Sequence, residues 1–227
     1  MYKSMQGHPI PEAALGQHIA ILGKTGSGKT YVAKGVAENI LQDGGRVCVL
    51  DPTGSWHGLR SSATGKSAGF PVVIFGGDHA DLRLGGAHGE AIAEIVGTSS
   101  TPAILDTSLM KVSERTRLFT DFAETLVAKN KKPLHLIVDE AHLFAPQSGV
   151  NSPQSGEMIH AANNLVSLGR SRGLRIILIT QRPAKLHKDS LTQVETLVAL
   201  RLMAPQDRRA VEDWIKDNAD ENRAGKL

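Results

Sequence analysis

Hydrophobic residues along the chain gather in short runs, and longer amphipathic stretches separate these runs. Most runs are rich in Val, Ile and Leu without polar alternation, which is typical of strands buried on both faces of a parallel sheet. Strands are predicted in this way at residues 18–22, 47–50, 72–75, 103–106, 134–139, 174–180 and 197–203. The amphipathic stretches predict helices at residues 28–42, 87–96, 113–129, 156–172 and 205–216.

The elements alternate between strand and helix, which predicts an α/β fold with a doubly wound, mostly parallel sheet flanked by helices. Two segments interrupt the alternation. Residues 51–69 form a long loop rich in Gly and Ser, and residues 145–156 form a second long loop. Because structureless stretches of this length are uncommon inside a compact domain, we expect both loops to be functional or mobile.

Composition narrows the class of protein only slightly. The net charge of +3 fits a nucleic-acid partner without requiring one. Cys48 is the single cysteine and lies in an apolar run, so we expect a small buried hydrophobe and no disulfide framework. Neither a signal peptide nor a membrane-spanning apolar stretch is recognised, so we expect a cytoplasmic protein with no membrane partner.

The most specific motif is GKTGSGKT at residues 23–30, which matches G-x-x-x-x-G-K-[ST] between a predicted strand and a predicted helix. Glycines let backbone N–H groups curl around an anion, and the helix adds its positive N-terminal end. Lys29 is expected to reach the β- and γ-phosphates, and the Thr30 hydroxyl to bind Mg²⁺. The alternative, an incidental glycine turn, does not explain the complete motif. The predicted nucleotide-binding residues are Gly23, Lys24, Thr25, Gly26, Ser27, Gly28, Lys29, Thr30 and Tyr31.

Two adjacent carboxylates, Asp139 and Glu140, end the apolar strand predicted at residues 134–139. Ligands in open α/β sheets bind at the carboxyl ends of the strands, so this pair is expected to face the phosphate loop. Asp139 is predicted to hold Mg²⁺, and Glu140 to orient and deprotonate the attacking water. The alternative is that the two acids only begin a helix, where they are favoured in any case.

Two other short stretches indicate which nucleotide is bound and which type of ATPase is excluded. The guanine-recognition signature N-K-x-D is absent, because Asn130-Lys131-Lys132-Pro133 has no Asp at its fourth place, and this favours ATP over GTP. Residues 139–142 spell DEAH, a helicase signature, but helicases of that type need two tandem nucleotide-binding domains. We therefore expect His142 to be a helix-surface residue rather than a catalyst.

Further candidates flank the strand predicted at residues 174–180. Gln181 follows it and could hydrogen-bond both the γ-phosphate and the attacking water, although a solvated loop amide is the alternative. Arg170 and Arg172 precede it at a helix end, where cations are stabilising on their own. A catalytic arginine there would instead reach a developing phosphate charge, often on a neighbouring subunit.

These motifs together resemble the HerA/FtsK superfamily of ring-forming P-loop ATPases, and the HerA-like branch most closely. The stretches that carry the resemblance are HIAILGKTGSGKT, VCVLDPTG, LHLIVDEAH, LGRSRGLRIILITQRP and LVALRL with the following APQDRRAVE. The resemblance implies a RecA-like ATPase motor domain at residues 18–217, an N-terminal extension at residues 1–17 and a flexible tail at residues 218–227. It also implies ATP and Mg²⁺ as cofactors and a homo-hexamer that translocates DNA.

The resemblance assigns roles to the residues that match its motifs. Lys29, Glu140 and Gln181 are catalytic, and Thr30 and Asp139 bind the metal. The family's arginine finger lies eleven residues before the glutamine, which places it at Arg170, acting in trans, with Arg172 as second choice.

Partners are less well defined than the hydrolytic chemistry. The chain looks like a motor domain only, with itself, DNA and a nuclease or other effector protein as expected partners. Weak DNA contact is predicted for Ser148, Asn151 and Ser155 of the loop at residues 145–156, with basic residues elsewhere supplying most of the affinity. Two alternatives stay open: a conjugation- or secretion-type assembly ATPase, and a nucleotide-gated scaffold of a defence complex.

Overall fold

The structure, a computed structural model, describes residues 10–62, 64–147 and 153–218. The strands are β1 (Ile19–Leu22), β2 (Val47–Asp51), β3 (Val73–Phe75), β4 (Ala103–Asp106), β5 (Leu134–Val138), β6 (Leu174–Thr180) and β7 (Thr196–Ala199). The helices are α1 (Lys29–Gln42), α2 (Gly89–Thr98), α3 (Val112–Lys129), α4 (Pro153–Gly169), α5 (Lys188–Thr192) and α6 (Pro205–Asn218). Short 3₁₀ turns lie at Glu12–Gly16, Trp56–Arg60, Gly86–His88, Ala141–Leu143, Arg170–Arg172 and Pro183–Lys185.

The strands form one parallel sheet in the order β3-β4-β2-β5-β6-β1-β7. Successive residues of a strand point to opposite faces, so each apolar strand contributes to two cores. In β1, Ile19 and Ile21 pack with α1 on one face, whereas Ala20 and Leu22 pack with α2, α3 and α4 on the other. The predicted α/β architecture is therefore confirmed, because strands without polar alternation are covered by helices on both sides.

Several predicted boundaries were wrong. β5 ends at Val138, so Asp139 lies just beyond the strand. β7 stops at Ala199 instead of continuing to residue 203, and the short helix α5 was not predicted. The predicted loop at residues 51–69 contains a 3₁₀ turn, Trp56–Arg60, and two of its side chains, Trp56 and Leu59, are buried in the core.

The second predicted loop, at residues 145–156, is shorter than expected because α4 begins at Pro153. Ser155 is therefore a helical residue and its side chain is buried. The prediction that Ser155 contacts DNA is wrong, since a buried side chain does not face a ligand groove. Ser148 and Asn151 lie outside the described residues.

Candidate active site

The phosphate loop connects the end of β1 to the start of α1. Gly26 and Gly28 have φ angles of 75° and 95°, which is the left-handed region that favours glycine. A Cβ atom added to either glycine would meet nothing within 4 Å, so the concave side of the loop is open. The first N–H groups of an α-helix have no partner within the helix, and α1 begins directly after this loop, at Lys29. The loop therefore has the geometry of an anion cradle.

Lys29 lies beneath this loop rather than in solvent. Its side chain is 7% exposed, and its ammonium group donates to the carbonyl oxygen of Lys24 at 3.1 Å. Burial raises the pKa of both Asp139 and Glu140, and the charge of this ammonium group is one of the smaller effects that oppose the shift. The hydroxyl of Ser27 is buried and has no hydrogen-bond partner among the described residues. A phosphate in the loop would find a cation and an unpaired polar atom already in place.

The predicted nucleotide-binding residues differ in their exposure to solvent. Thr25, Gly26 and Gly28 are exposed at the open side of the loop, Lys24 and Thr30 are half-buried, and Gly23 is buried. Tyr31 is 85% exposed on the first turn of α1, so among the described residues its ring has little packing.

Asp139 lies at the end of β5, beside β2 and β6 in the sheet, and its carboxylate is buried. One oxygen, Oδ2, accepts a hydrogen bond from the indole Nε1–H of Trp56 at 2.9 Å, and Oδ1 accepts from the backbone N–H of Glu140 at 2.9 Å. Burial raises the pKa of Asp139, and these two hydrogen bonds oppose the shift. Each oxygen keeps a second lone pair, and carboxylate and hydroxyl oxygens are ligands that Mg²⁺ prefers. The Asp139 carboxylate and the Thr30 hydroxyl are therefore oxygen groups of the kind that would hold a Mg²⁺ ion.

Glu140 has an unusual backbone conformation. Among the residues that the structure describes, it is the one non-glycine residue with a positive φ, 44°. Strained residues of this kind cluster at functional sites, because the surrounding structure has to hold them in place. Burial, and then the charge of Asp139, raises the pKa of Glu140. A raised pKa makes the carboxylate a stronger proton acceptor, which suits a general base.

Gln181 follows β6, which lies between β1 and β5 in the sheet. It is therefore placed between the phosphate loop and the acid pair. Its Oε1 accepts a hydrogen bond from the Thr25 hydroxyl, and its backbone N–H lies 3.5 Å from Oε2 of Glu140. The structure thus places Gln181 beside both the phosphate loop and the acid pair.

Arg170 lies elsewhere, in the turn that precedes β6. The seven residues of β6 span about 20 Å, so Arg170 lies near the amino end of β6 and Gln181 at its carboxyl end. Its guanidinium group pairs with Glu195, whose other oxygen accepts the backbone N–H of His18 at 2.7 Å. Arg172 is exposed in the same turn. The structure brings neither arginine to the phosphate loop of its own chain.

Two residues of the site were missed by the sequence analysis. His142 was expected on a helix surface, but it is mostly buried and its Nδ1 contacts both Thr180 and Glu140, so that prediction was wrong. Trp56 lies in the segment predicted as a long loop, yet its indole N–H donates a hydrogen bond to Asp139. A large aromatic residue inside a Gly- and Ser-rich segment was the one signal that the segment packs against the core.

Solved structures with the same fold include the genome packaging NTPase B204 from Sulfolobus turreted icosahedral virus 2 in complex with ATP-gammaS. It aligns with a TM-score of 0.52 and 17% identity over 93% of this chain and 87% of that chain. B204, the DNA-packaging ATPase from Sulfolobus turreted icosahedral virus, aligns with a TM-score of 0.53 and 15% identity over 94% and 89%. The parallel sheet, the phosphate loop and these similarities define the class of protein as a RecA-like P-loop NTPase.

Within this class the chain belongs to the family of the central domain of the helicase HerA, which matches residues 11–166. The DNA double-strand break repair helicase HerA of Pyrococcus furiosus is 32% identical over 120 residues, or 51% of this chain and 21% of that protein. The probable DNA double-strand break repair helicase HerA of Methanocaldococcus jannaschii is 35% identical over 96 residues, or 39% and 18%. The aligned part is thus about a fifth of each relative. Among the helices described here, none is both long and apolar enough to cross a membrane.

Proposed function

We propose that this chain hydrolyses ATP with Mg²⁺ at the phosphate loop, as a member of a homo-oligomeric ring, a hexamer, that translocates DNA. The observation that carries the proposal is that the predicted catalytic groups are divided between the two ends of the parallel strands, the carboxyl edge and the amino edge of the sheet. Lys29, Glu140 and Gln181 meet at the carboxyl edge, whereas Arg170 lies at the amino edge. One copy cannot complete its own site, but two neighbouring copies can.

Hydrolysis in this proposal uses groups that follow β1, β5 and β6 at the carboxyl ends of these strands. The loop N–H groups and Lys29 bind the phosphates, and Mg²⁺, held by Thr30 and Asp139, neutralises charge on them when bound. Glu140 accepts a proton from the attacking water. Gln181 hydrogen-bonds that water and the γ-phosphate, and its bond to Thr25 keeps it against the loop.

Arg170 acts on the neighbouring subunit. A ring is built from head-to-tail contacts, in which one edge of each subunit faces a different edge of the next. Arg170 must leave Glu195 to reach a phosphate, and its exposed side chain can do so because an exposed ion pair contributes little, about 0–1 kcal/mol. An arginine finger accelerates hydrolysis by about 10³–10⁵-fold, since its charge meets the transition state in a water-excluded site.

DNA is the proposed cargo. Support comes from the relatives, which are named as DNA repair helicases, and from a fold neighbour named as a DNA-packaging ATPase. Three exposed cations, Arg182, Lys185 and Lys188, follow β6 near the carboxyl edge and could contact phosphates independently of base sequence. A nuclease or another effector protein stays a predicted partner. Weak DNA contact by the loop predicted at residues 145–156 also stays a prediction.

The proposal is tested with Glu140→Gln and Arg170→Ala, assayed for ATP binding and for hydrolysis with and without duplex DNA. Glu140→Gln should bind Mg·ATP and lose about 10²–10⁴-fold in hydrolysis, because only the base is removed. Arg170→Ala should also bind ATP and lose hydrolysis. DNA should stimulate the wild-type protein, and the stimulation should weaken as salt rises because counterions are released on binding.

Mixing variants tests action in trans. Lys29→Ala should not bind ATP but keeps its Arg170, so mixing it with Arg170→Ala should restore part of the hydrolysis at mixed interfaces. Arg172→Ala is the matched control, since it removes a guanidinium from the same turn. If mixing restores nothing while the two variants co-assemble, Arg170 is not the finger. If Arg172→Ala loses hydrolysis instead, the finger is Arg172.

A further inference from the structure

A single nitrogen of His142 lies between two groups of the candidate site. Its Nδ1 is 2.9 Å from the hydroxyl oxygen of Thr180 and 3.3 Å from Oε2 of Glu140. The side chains of His142 and Glu140 are only 12% and 16% exposed, so water competes weakly for these contacts. Thr180 is fully buried at the end of β6, directly before Gln181.

The backbone explains how His142 reaches this position. Glu140 takes the left-handed conformation, which turns the chain out of β5 and into the 3₁₀ turn Ala141–Leu143. That turn carries the imidazole back toward the end of β6, where the Thr180 hydroxyl also accepts the backbone N–H of Arg182 at 3.0 Å. The ring is therefore held against two strand ends and not on a free helix surface.

The contacts select one form of the ring. Burial, and then the charges of Arg182 and Lys185, lowers the pKa of His142 to about 4, so the imidazole is neutral near pH 7 and carries one N–H. If Nδ1 were unprotonated, its lone pair would face the Glu140 carboxylate, and two acceptors would oppose each other. With the proton on Nδ1, the ring donates to Thr180, and the positive end of this N–H bond lies near Oε2 of the Glu140 carboxylate, 3.3 Å from Nδ1. The geometry thus favours the Nδ1–H tautomer.

We propose that His142 is a positioning residue for Glu140. The Nδ1–H of His142, hydrogen-bonded to Thr180, attracts the Glu140 carboxylate 3.3 Å away and keeps it in one orientation. A continuous path of contacts then runs from Thr25 in the phosphate loop through Gln181 and Thr180 to His142 and Glu140. A change at the γ-phosphate that moves Gln181 would in this way reach the base. This inference rests on the proposed role of Glu140 in hydrolysis.

The test compares two substitutions that replace the ring by an amide donor at the position of one or the other ring nitrogen. In His142→Asn the amide nitrogen falls near the position of Nδ1, whereas in His142→Gln it falls near Nε2. His142→Asn should keep most of the kcat for ATP. His142→Gln and His142→Ala should lower kcat by about 10–100-fold, because a misplaced base loses orientation. The KM for ATP should stay unchanged in all three, because His142 contacts no residue of the phosphate loop.

The Glu140→Gln background separates positioning from a general structural effect. Adding His142→Ala to Glu140→Gln should cause no further loss of kcat, because His142 acts only through Glu140. The inference is overturned if His142→Asn and His142→Gln are equally impaired, if His142→Gln is the better of the two, or if neither is impaired. It is also overturned if the loss persists in the Glu140→Gln background. Near-normal hydrolysis by Glu140→Gln alone would instead refute the proposed role of the base. If His142→Ala does not fold, the comparison of Asn with Gln still decides.

Discussion

The indole of Trp56 makes the stability of the fold depend on Asp139. Trp56 is fully buried, and its Nε1–H donates to a carboxylate that is itself buried. Trp56→Phe removes this donor while keeping an aromatic ring in the same space. A hydrogen bond to a charged group contributes about 1.5–3 kcal/mol, and removing one partner leaves the other buried and less satisfied. We therefore expect the free energy of unfolding to fall by about 1.5–3 kcal/mol, with a further loss for the smaller ring.

Urea unfolding followed by far-UV circular dichroism, without Mg²⁺ or nucleotide, measures this loss. Trp214→Phe is the matched control, because the half-buried Trp214 donates to a neutral acceptor, the carbonyl oxygen of Val194, at 3.2 Å. A neutral hydrogen bond contributes about 0.5–1.5 kcal/mol, so the control should lose less.

A double-mutant cycle isolates the pair. In the Asp139→Leu background the acceptor is gone, so Trp56→Phe should cost at least about 1 kcal/mol less than it does in the wild type. Other effects of Asp139→Leu, including the lost partner of the Glu140 N–H, cancel within the cycle. The reasoning is refuted if Trp56→Phe costs the same in both backgrounds, or no more than Trp214→Phe.

Two further predictions concern the loop and the response to pH. Gly28→Ala should destabilise the fold by about 1–2 kcal/mol and weaken ATP binding, because Gly28 has a φ of 95°. The control is Gly16→Ala, at a site with no positive φ and no neighbour within 4 Å, which should do neither. Equal effects of the two substitutions in urea unfolding and ATP titration would contradict this prediction. Stability should also fall as pH drops from 6.5 toward 4, because unfolded His142 takes up a proton that the folded state refuses until its pKa of about 4. The raised pKa values of Asp139 and Glu140 act in the opposite direction, so the comparison is with His142→Asn, whose loss of stability with falling pH should be smaller.

The parts of the site that sequence could predict are those whose chemistry is local. The phosphate loop needs glycines at positive φ and a lysine at one fixed spacing, and Gly26, Gly28 and Lys29 take these positions in the structure. The acid pair was predictable for a similar reason, since carboxylates that directly follow a buried strand come to the edge where ligands bind.

Elements near the end of the chain were predicted less well. Helix α5 has five residues, which is too short for a helical period to appear in the sequence. Strand β7 lies at the edge of the sheet beside β1, and its residues are partly exposed. Its apolar run continues to Met203, beyond the last residue in register with β1, Ala199. In both cases neighbouring contacts, rather than the pattern of the segment, set the boundaries.

The amino-acid order was sufficient for the class of fold, because uninterrupted apolar runs must be covered on both faces and each covering helix has its own amphipathic pattern. It also contained the phosphate loop and the acid pair. The strand order β3-β4-β2-β5-β6-β1-β7 came from packing, because buried runs of Val, Ile and Leu carry no record of which strand lies beside which. That order places Gln181 between Thr25 and Glu140, whereas the length of β6 sets Arg170 about 20 Å from Gln181. The contacts of Trp56 with Asp139 and of His142 with Glu140 have the same origin, since a hydrogen bond across the fold depends on where two backbones meet.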